Sequence, residues 1–110
     1  MNEKLLKNIN YFGVDTEKRK LTDECEELRD AITEYEFAKK SEYTYDLCSL
    51  REHIIEEFAD VMVVMNQIKL YYDIPEKEII PVMIEKLERQ MERIENDCMK
   101  YMEEKNNVFK

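Results

Sequence analysis

Residues 21–35 read LTDECEELRDAITEY, and this stretch decides the fold. Its apolar side chains fall at Leu21, Cys25, Leu28, Ile32 and Tyr35, in steps of four and three. At ~100° per residue the five lie within about 40° of one direction, a single stripe along an α-helix. A half-buried strand would need alternation at period two, which is missing here. Working outward, Asp15 or Thr16 can cap the start of this helix, which runs to about Lys40. Upstream, Leu5, Leu6 and Ile9 mark a short helix that stops near Tyr11-Phe12-Gly13, where the only glycine supplies a turn. Downstream, residues 41–46 read as a polar loop. Ser49 and Glu52 have the spacing of a capping box, so a third helix should begin there and continue through Phe58 to Tyr72. Asp73, Ile74 and Pro75 mark a turn, with Pro75 suited to a first helical turn. Pro81 then allows two outcomes: a short turn over 76–80 with a fresh start, or one helix kinked at the proline. From Ile80 a near-heptad stripe runs through Ile84, Leu87, Met91, Ile94, Cys98 and Met102, a seam for a neighbouring helix.

Composition agrees with this pattern. One Gly and two Pro among 110 residues, with 39% charged side chains, suit long helices and short turns and leave little room for hairpins. The expected fold is an all-α helical bundle, three long helices plus a short N-terminal one, forming a single domain over residues 1–110. With 44% hydrophobic residues the core is small, so burial is expected to be completed by oligomerisation. A formal net charge of −9 opposes binding to nucleic acid polymers and anionic membranes. Residues 1–10 are too short and polar for a signal peptide, and no run approaches a membrane span. Cys25, Cys48 and Cys98 form no CxxC pair and are odd in number, which fits a reducing, cytoplasmic setting. Cys25 and Cys98 lie on apolar stripes and are expected to behave as small hydrophobes.

Twenty-six acidic residues make any single glutamate uninformative, so helical phase must select among them. Glu24 and Glu27 fall on one flank of the second helix's stripe, in line with the small residues Ala31 and Ala38. Asp23, Glu26 and Asp30 face the opposite side. On the third helix, Glu57 falls inside the arc of Leu50, Ile54, Val61, Val64 and Ile68, with Asp60 at its edge and Glu56 further out. An ionised carboxylate in an apolar stripe must be paired, protonated or bound to a metal. Two acidic pairs at i, i+3, each with Cβ atoms roughly 5–6 Å apart, would form an all-oxygen cluster if they faced each other. Such a cluster suits Mg²⁺ or Mn²⁺.

The string DECEELRDAI at 23–32, EEFADVM at 56–62 and KLER at 86–89 resemble the MazG-like all-α nucleoside triphosphate pyrophosphohydrolases. The ExxE and ExxD signature of that family falls here on Glu24/Glu27 and Glu57/Asp60, and the likeness covers about residues 11–94. The resemblance implies Mg²⁺-dependent cleavage of a nucleoside triphosphate to the monophosphate and pyrophosphate, by a dimer or a tetramer built from dimers. It implies that the four carboxylates hold metal, with Glu24 or Glu27 serving as general base. Two features depart from the family pattern. The loop between the acidic pairs is longer, and there is no Trp, so any stacking on a base must come from Tyr or Phe.

Lys86, Arg89 and Arg93 are spaced along one side of the last helix and form a candidate phosphate clamp. The resemblance favours Lys86 and Arg89; salt bridging to acids of adjacent helices is the alternative. His53, one turn before Glu57, reads as a surface histidine with a second role beside Glu57 as the rival. Position 50 is Leu, so the Glu-x-x-His of di-iron bundles is missing. Tyr11, Phe12, Tyr43, Tyr45, Tyr71 and Tyr72 lie outside the main seams, with packing as their default role. Against the enzyme stand two rivals: a non-catalytic interaction or regulatory protein of the same fold, and a coiled-coil dimer whose acids are solvated.

Overall fold

The structure, a computed structural model, describes residues 1–41 and 46–108, with side chains through residue 106. It is all-α: α1 (Asn2–Phe12), α2 (Val14–Lys40), α3 (Leu47–Tyr71) and α4 (Glu76–Val108), with no strand among the described residues. Tyr43 and Tyr45, in the expected loop, lie outside them. Among the described residues no helix is long and apolar enough to cross a membrane. The chain divides into two compact units, Met1–Asp73 and Ile74–Lys110.

In the first unit, α2 and α3 pack along each other and α1 lies mainly against α3. Leu5 and Ile9 turn inward from α1, and Ile9 is wholly buried. Burying an aliphatic side chain of this size contributes ~1.5–3 kcal/mol. The α1–α2 joint is Gly13 alone, at φ 86° and ψ 155°, a backbone state that strains any residue with a Cβ. Its N–H donates to the Ile9 carbonyl at 2.8 Å, and its carbonyl accepts from the Glu17 N–H at 3.2 Å. One residue therefore ends α1 and begins α2. This corrects the expected cap at Asp15 or Thr16, both of which lie inside the first turn.

The core also corrects the reading of α2. The residues it buries are Glu17, Ala31 and Ala38, spaced by multiples of seven, with Glu24 half-buried in the same row. Leu21, Leu28 and Tyr35 are only half-buried, while Cys25 and Ile32 are exposed. The small row faces α3 because alanines let two helices approach closely, leaving the apolar stripe at the edge of the contact. On α3 the buried residues are Glu57, Val61, Val64 and Gln67, with Leu50, Ile54 and Ile68 half-buried, following the expected arc. Ile55, Phe58, Met62 and Met65 remain exposed on its other side.

The start of α3 differs from the expected capping box. Asp46 is the N-cap, its Oδ1 accepting from the Ser49 N–H at 3.2 Å and its Oδ2 from the Ser49 hydroxyl at 2.8 Å. Ser49 thus serves as the partner of the cap, and α3 begins at Leu47. Those bonds to the ionised form hold the Asp46 carboxyl below its usual range. The other end of α3 closes on Asp73 in the left-handed region (φ 53°), a conformation Asp tolerates better than most residues. Its N–H donates to the Leu70 carbonyl at 3.2 Å.

In the second unit, α4 is one helix that passes through Pro81, which decides between the two outcomes set out above. Pro75 immediately precedes the helix, its carbonyl accepting from the Glu78 N–H at 3.0 Å. Pro81 forgoes the ladder bond to the Lys77 carbonyl, a loss confined to the helix's opening turns. The stripe Ile80, Ile84, Leu87, Met91, Ile94 and Met102 is exposed along its length. All three cysteines are free and exposed, so Cys25 and Cys98 do not fill core positions as expected.

Candidate functional site

The close approach of α2 and α3 at their small-residue row brings the two acidic pairs together. One carboxylate oxygen from each of Glu24, Glu57 and Asp60 lies within 4.8 Å of the others. Glu27 stands beside the group, its charge acting on both Glu24 and Glu57. Glu57 is 9% exposed and Glu24 half-buried, whereas Glu27 and Asp60 reach the surface. The cluster therefore has a closed floor and an open rim.

Crowding so many carboxylates raises the cost of ionisation. The Glu24 carboxyl is pushed up to about 7, first by its removal from water, then by a hydrogen bond with Glu27 and repulsion from Glu27, Asp60 and Glu57. Glu57 is also raised, by the loss of water around it and by Glu27 and Asp60, with His53 acting in the opposite direction. The His53 Nδ1 lies 3.9 Å from Glu57 and 3.8 Å from Glu56. Glu24 Oε2 and Glu57 Oε2 are buried with no hydrogen-bond partner among the described residues. Buried oxygens without donors favour a ligand that supplies positive charge. The donor set is all oxygen, which fits a hard divalent cation.

Lys86, Arg89 and Arg93 share one depression on the surface of α4 with Gln90. Arg89 donates to Glu85 at 2.6 Å, a bridge within its own helix and not the expected alternative of a bridge to an adjacent helix. The carboxylates belong to the first unit and these cations to the second.

Sequence reasoning passed over three groups beside the cluster. Glu17 is 1% exposed and Gln67 2%, and with Asn8 of α1 they line a cavity of about 190 Å³ that Glu24 and Asp60 also border. Their signal was present: Glu17 stands seven residues before Glu24, and Gln67 continues the Val61–Val64 row. It was overlooked because Glu17 sits among surface charges of the first turns.

Comparison of the chain with protein-family models, curated proteins and solved structures finds no match in any of the three.

Proposed function

We propose that this chain is a Mg²⁺-dependent nucleotide pyrophosphohydrolase, with Mn²⁺ as an alternative ion, converting a ribo- or deoxyribonucleoside triphosphate to the monophosphate and pyrophosphate. The observation that carries the reading is the meeting of Glu24, Glu57 and Asp60 within 4.8 Å, on the residues of the ExxE and ExxD pattern. These three would hold the cation, with Glu27 completing the set. The chemistry a divalent ion supplies at such a site is neutralisation of triphosphate charge and a lowered pKa for water. Glu27, exposed on the rim, takes the proton of the attacking water, and Glu24 is the second candidate for that role. The water oxygen bonds to the α-phosphorus as the bond to the departing pyrophosphate breaks. Lys86, Arg89 and Arg93 are assigned to phosphate binding by their common face and, for the first two, by the resemblance.

Self-association belongs to the same proposal. Exposed Phe58, Met62 and Met65 on α3, and the open seam of α4, leave more apolar surface than a small monomer ordinarily shows. A homodimer or a pair of dimers would cover it; sedimentation equilibrium giving a monomer at micromolar concentration would refute this part. The same surface favours the second reading, a non-catalytic helical interaction protein.

Pyrophosphate release from a nucleotide panel, with and without Mg²⁺, separates the two. At least one nucleotide should be turned over only with the cation, and Glu57→Ala or Asp60→Ala should reduce the rate by at least about a hundredfold. Turnover of no nucleotide, or full activity in both variants, would overturn the proposal.

A further inference from the structure

The cavity beside the carboxylate cluster has a composition of its own. Its buried atoms without a hydrogen-bond partner among the described residues are Asn8 Oδ1, both oxygens of Glu17, Glu24 Oε2 and Gln67 Oε1. All are acceptors as placed. The amides of Asn8 and Gln67 can present either edge to a ligand, whereas an ionised Glu17 can only accept. Unsatisfied polar groups as deeply buried as Glu17 and Gln67 are costly, and a ligand that bonds to them recovers that cost.

Three observations identify the ligand class. Lys20 Nζ already stands 3.6 Å from Glu17 and 4.6 Å from the centre of the Phe12 ring, so a local positive charge is in place and a second metal ion is disfavoured. Val63 and Val64 form apolar wall, which suits the face of a flat ring better than a hydrated ion. The cavity, about 190 Å³ and open on one side, admits a flat ring with its substituents while the rest of a nucleotide stays outside it.

We infer that this cavity receives the base of the nucleotide and selects bases that carry an exocyclic amino group. The inference rests on the hydrolase reading, and the shared walls, Glu24 and Asp60, set the cavity directly beside the proposed reaction site. The amino group donates to Glu17, while the amide N–H₂ of Gln67 or Asn8 donates to the adjacent ring nitrogen. A base with a carbonyl in place of the amino group sets an oxygen against the Glu17 carboxylate and offers it no hydrogen-bond donor.

The test uses pairs of substrates that differ at that group: cytidine against uridine triphosphate, and adenosine against inosine triphosphate. The full chain with Mg²⁺ should show kcat/KM higher for the amino member of at least one pair by about tenfold or more. Glu17→Met, which removes the acceptors, should bring that ratio to within about threefold, while Glu17→Gln, which keeps one acceptor oxygen, should retain the preference. Gln67→Met provides an independent variant if Glu17→Met does not fold, and it should also erode the ratio. Turnover with equal kcat/KM within both pairs overturns the inference and leaves the hydrolase reading standing, as does a preference that survives both methionine variants. Absence of turnover for all four nucleotides overturns the reading and the inference together.

Discussion

At pH 6 the metal-free protein should hold a proton in its carboxylate cluster that a divalent cation must displace. With the Glu24 carboxyl at about 7, some 0.9 of that proton is bound at pH 6 and about 0.1 at pH 8. Ion binding should therefore release close to one proton at pH 6 and almost none at pH 8. Apparent affinity should climb nearly tenfold per pH unit below 7 and level off above it. Isothermal titration in buffers of different ionisation heat counts these protons directly. The sign for folding follows from the same shift. The folded-state value lies above the ordinary 4.5, so the metal-free fold carries no penalty from Glu24 below that pH. The penalty grows as pH rises from 4.5 to 7 and is complete above it. Without ions the melting temperature should fall across that window, and a saturating cation should remove the fall. Equal proton release at pH 6 and pH 8, or a metal-free melting temperature that rises from pH 5 to 7, would refute the convergence of the two acidic pairs.

Two substitutions probe the frame that holds the cluster. Gly13→Ala meets no atom within 4 Å, so its cost is backbone strain alone. Urea denaturation should show a loss of ~1–3 kcal/mol with an unchanged m-value. Ala31→Leu overfills the α2–α3 contact and should cost ~1–3 kcal/mol. It should also weaken the cation-induced rise in melting temperature, an effect Gly13→Ala should not share.

The helices could be read from periodicity, and the breaks after α1 and α3 from Gly13 and the turn at Asp73, whereas the passage of α4 through Pro81 was left open. The choice of Glu24, Glu57 and Asp60 among the acids could be read too, because helical phase depends only on spacing, but their meeting could not. The facing of α2 could not. Its apolar stripe, Leu21 to Tyr35, suggests which side is to be covered, and sequence does not say whether α3 or another surface covers it. The contact with α3 uses Ala31 and Ala38, whose value lies in what they leave out, and hydrophobicity gives them little weight. The caps were misread for a related reason. Asp15, Thr16 and Ser49 all have suitable side chains, and the choice turned on backbone geometry at Gly13 and Asp46. Glu17 shows the opposite limit: a charged residue in a polar segment gives no sign of burial unless its heptad relation to Glu24 is followed.

Ala31 and Ala38 also bear on which ion the site would prefer. Magnesium is held at 2.0–2.1 Å and calcium at 2.3–2.6 Å, so a few tenths of an ångström in the gap between the acidic pairs discriminate between them. The methyl groups of Ala31 and Ala38 are buried on the same row of α2 as Glu24, and larger side chains there, at Ala31 above all, would widen that gap. In the proposed metal site, ion selectivity would then be tuned partly by residues that can bind nothing. A redesign for a larger cation would begin with the spacers at 31 and 38 and leave all four acids untouched.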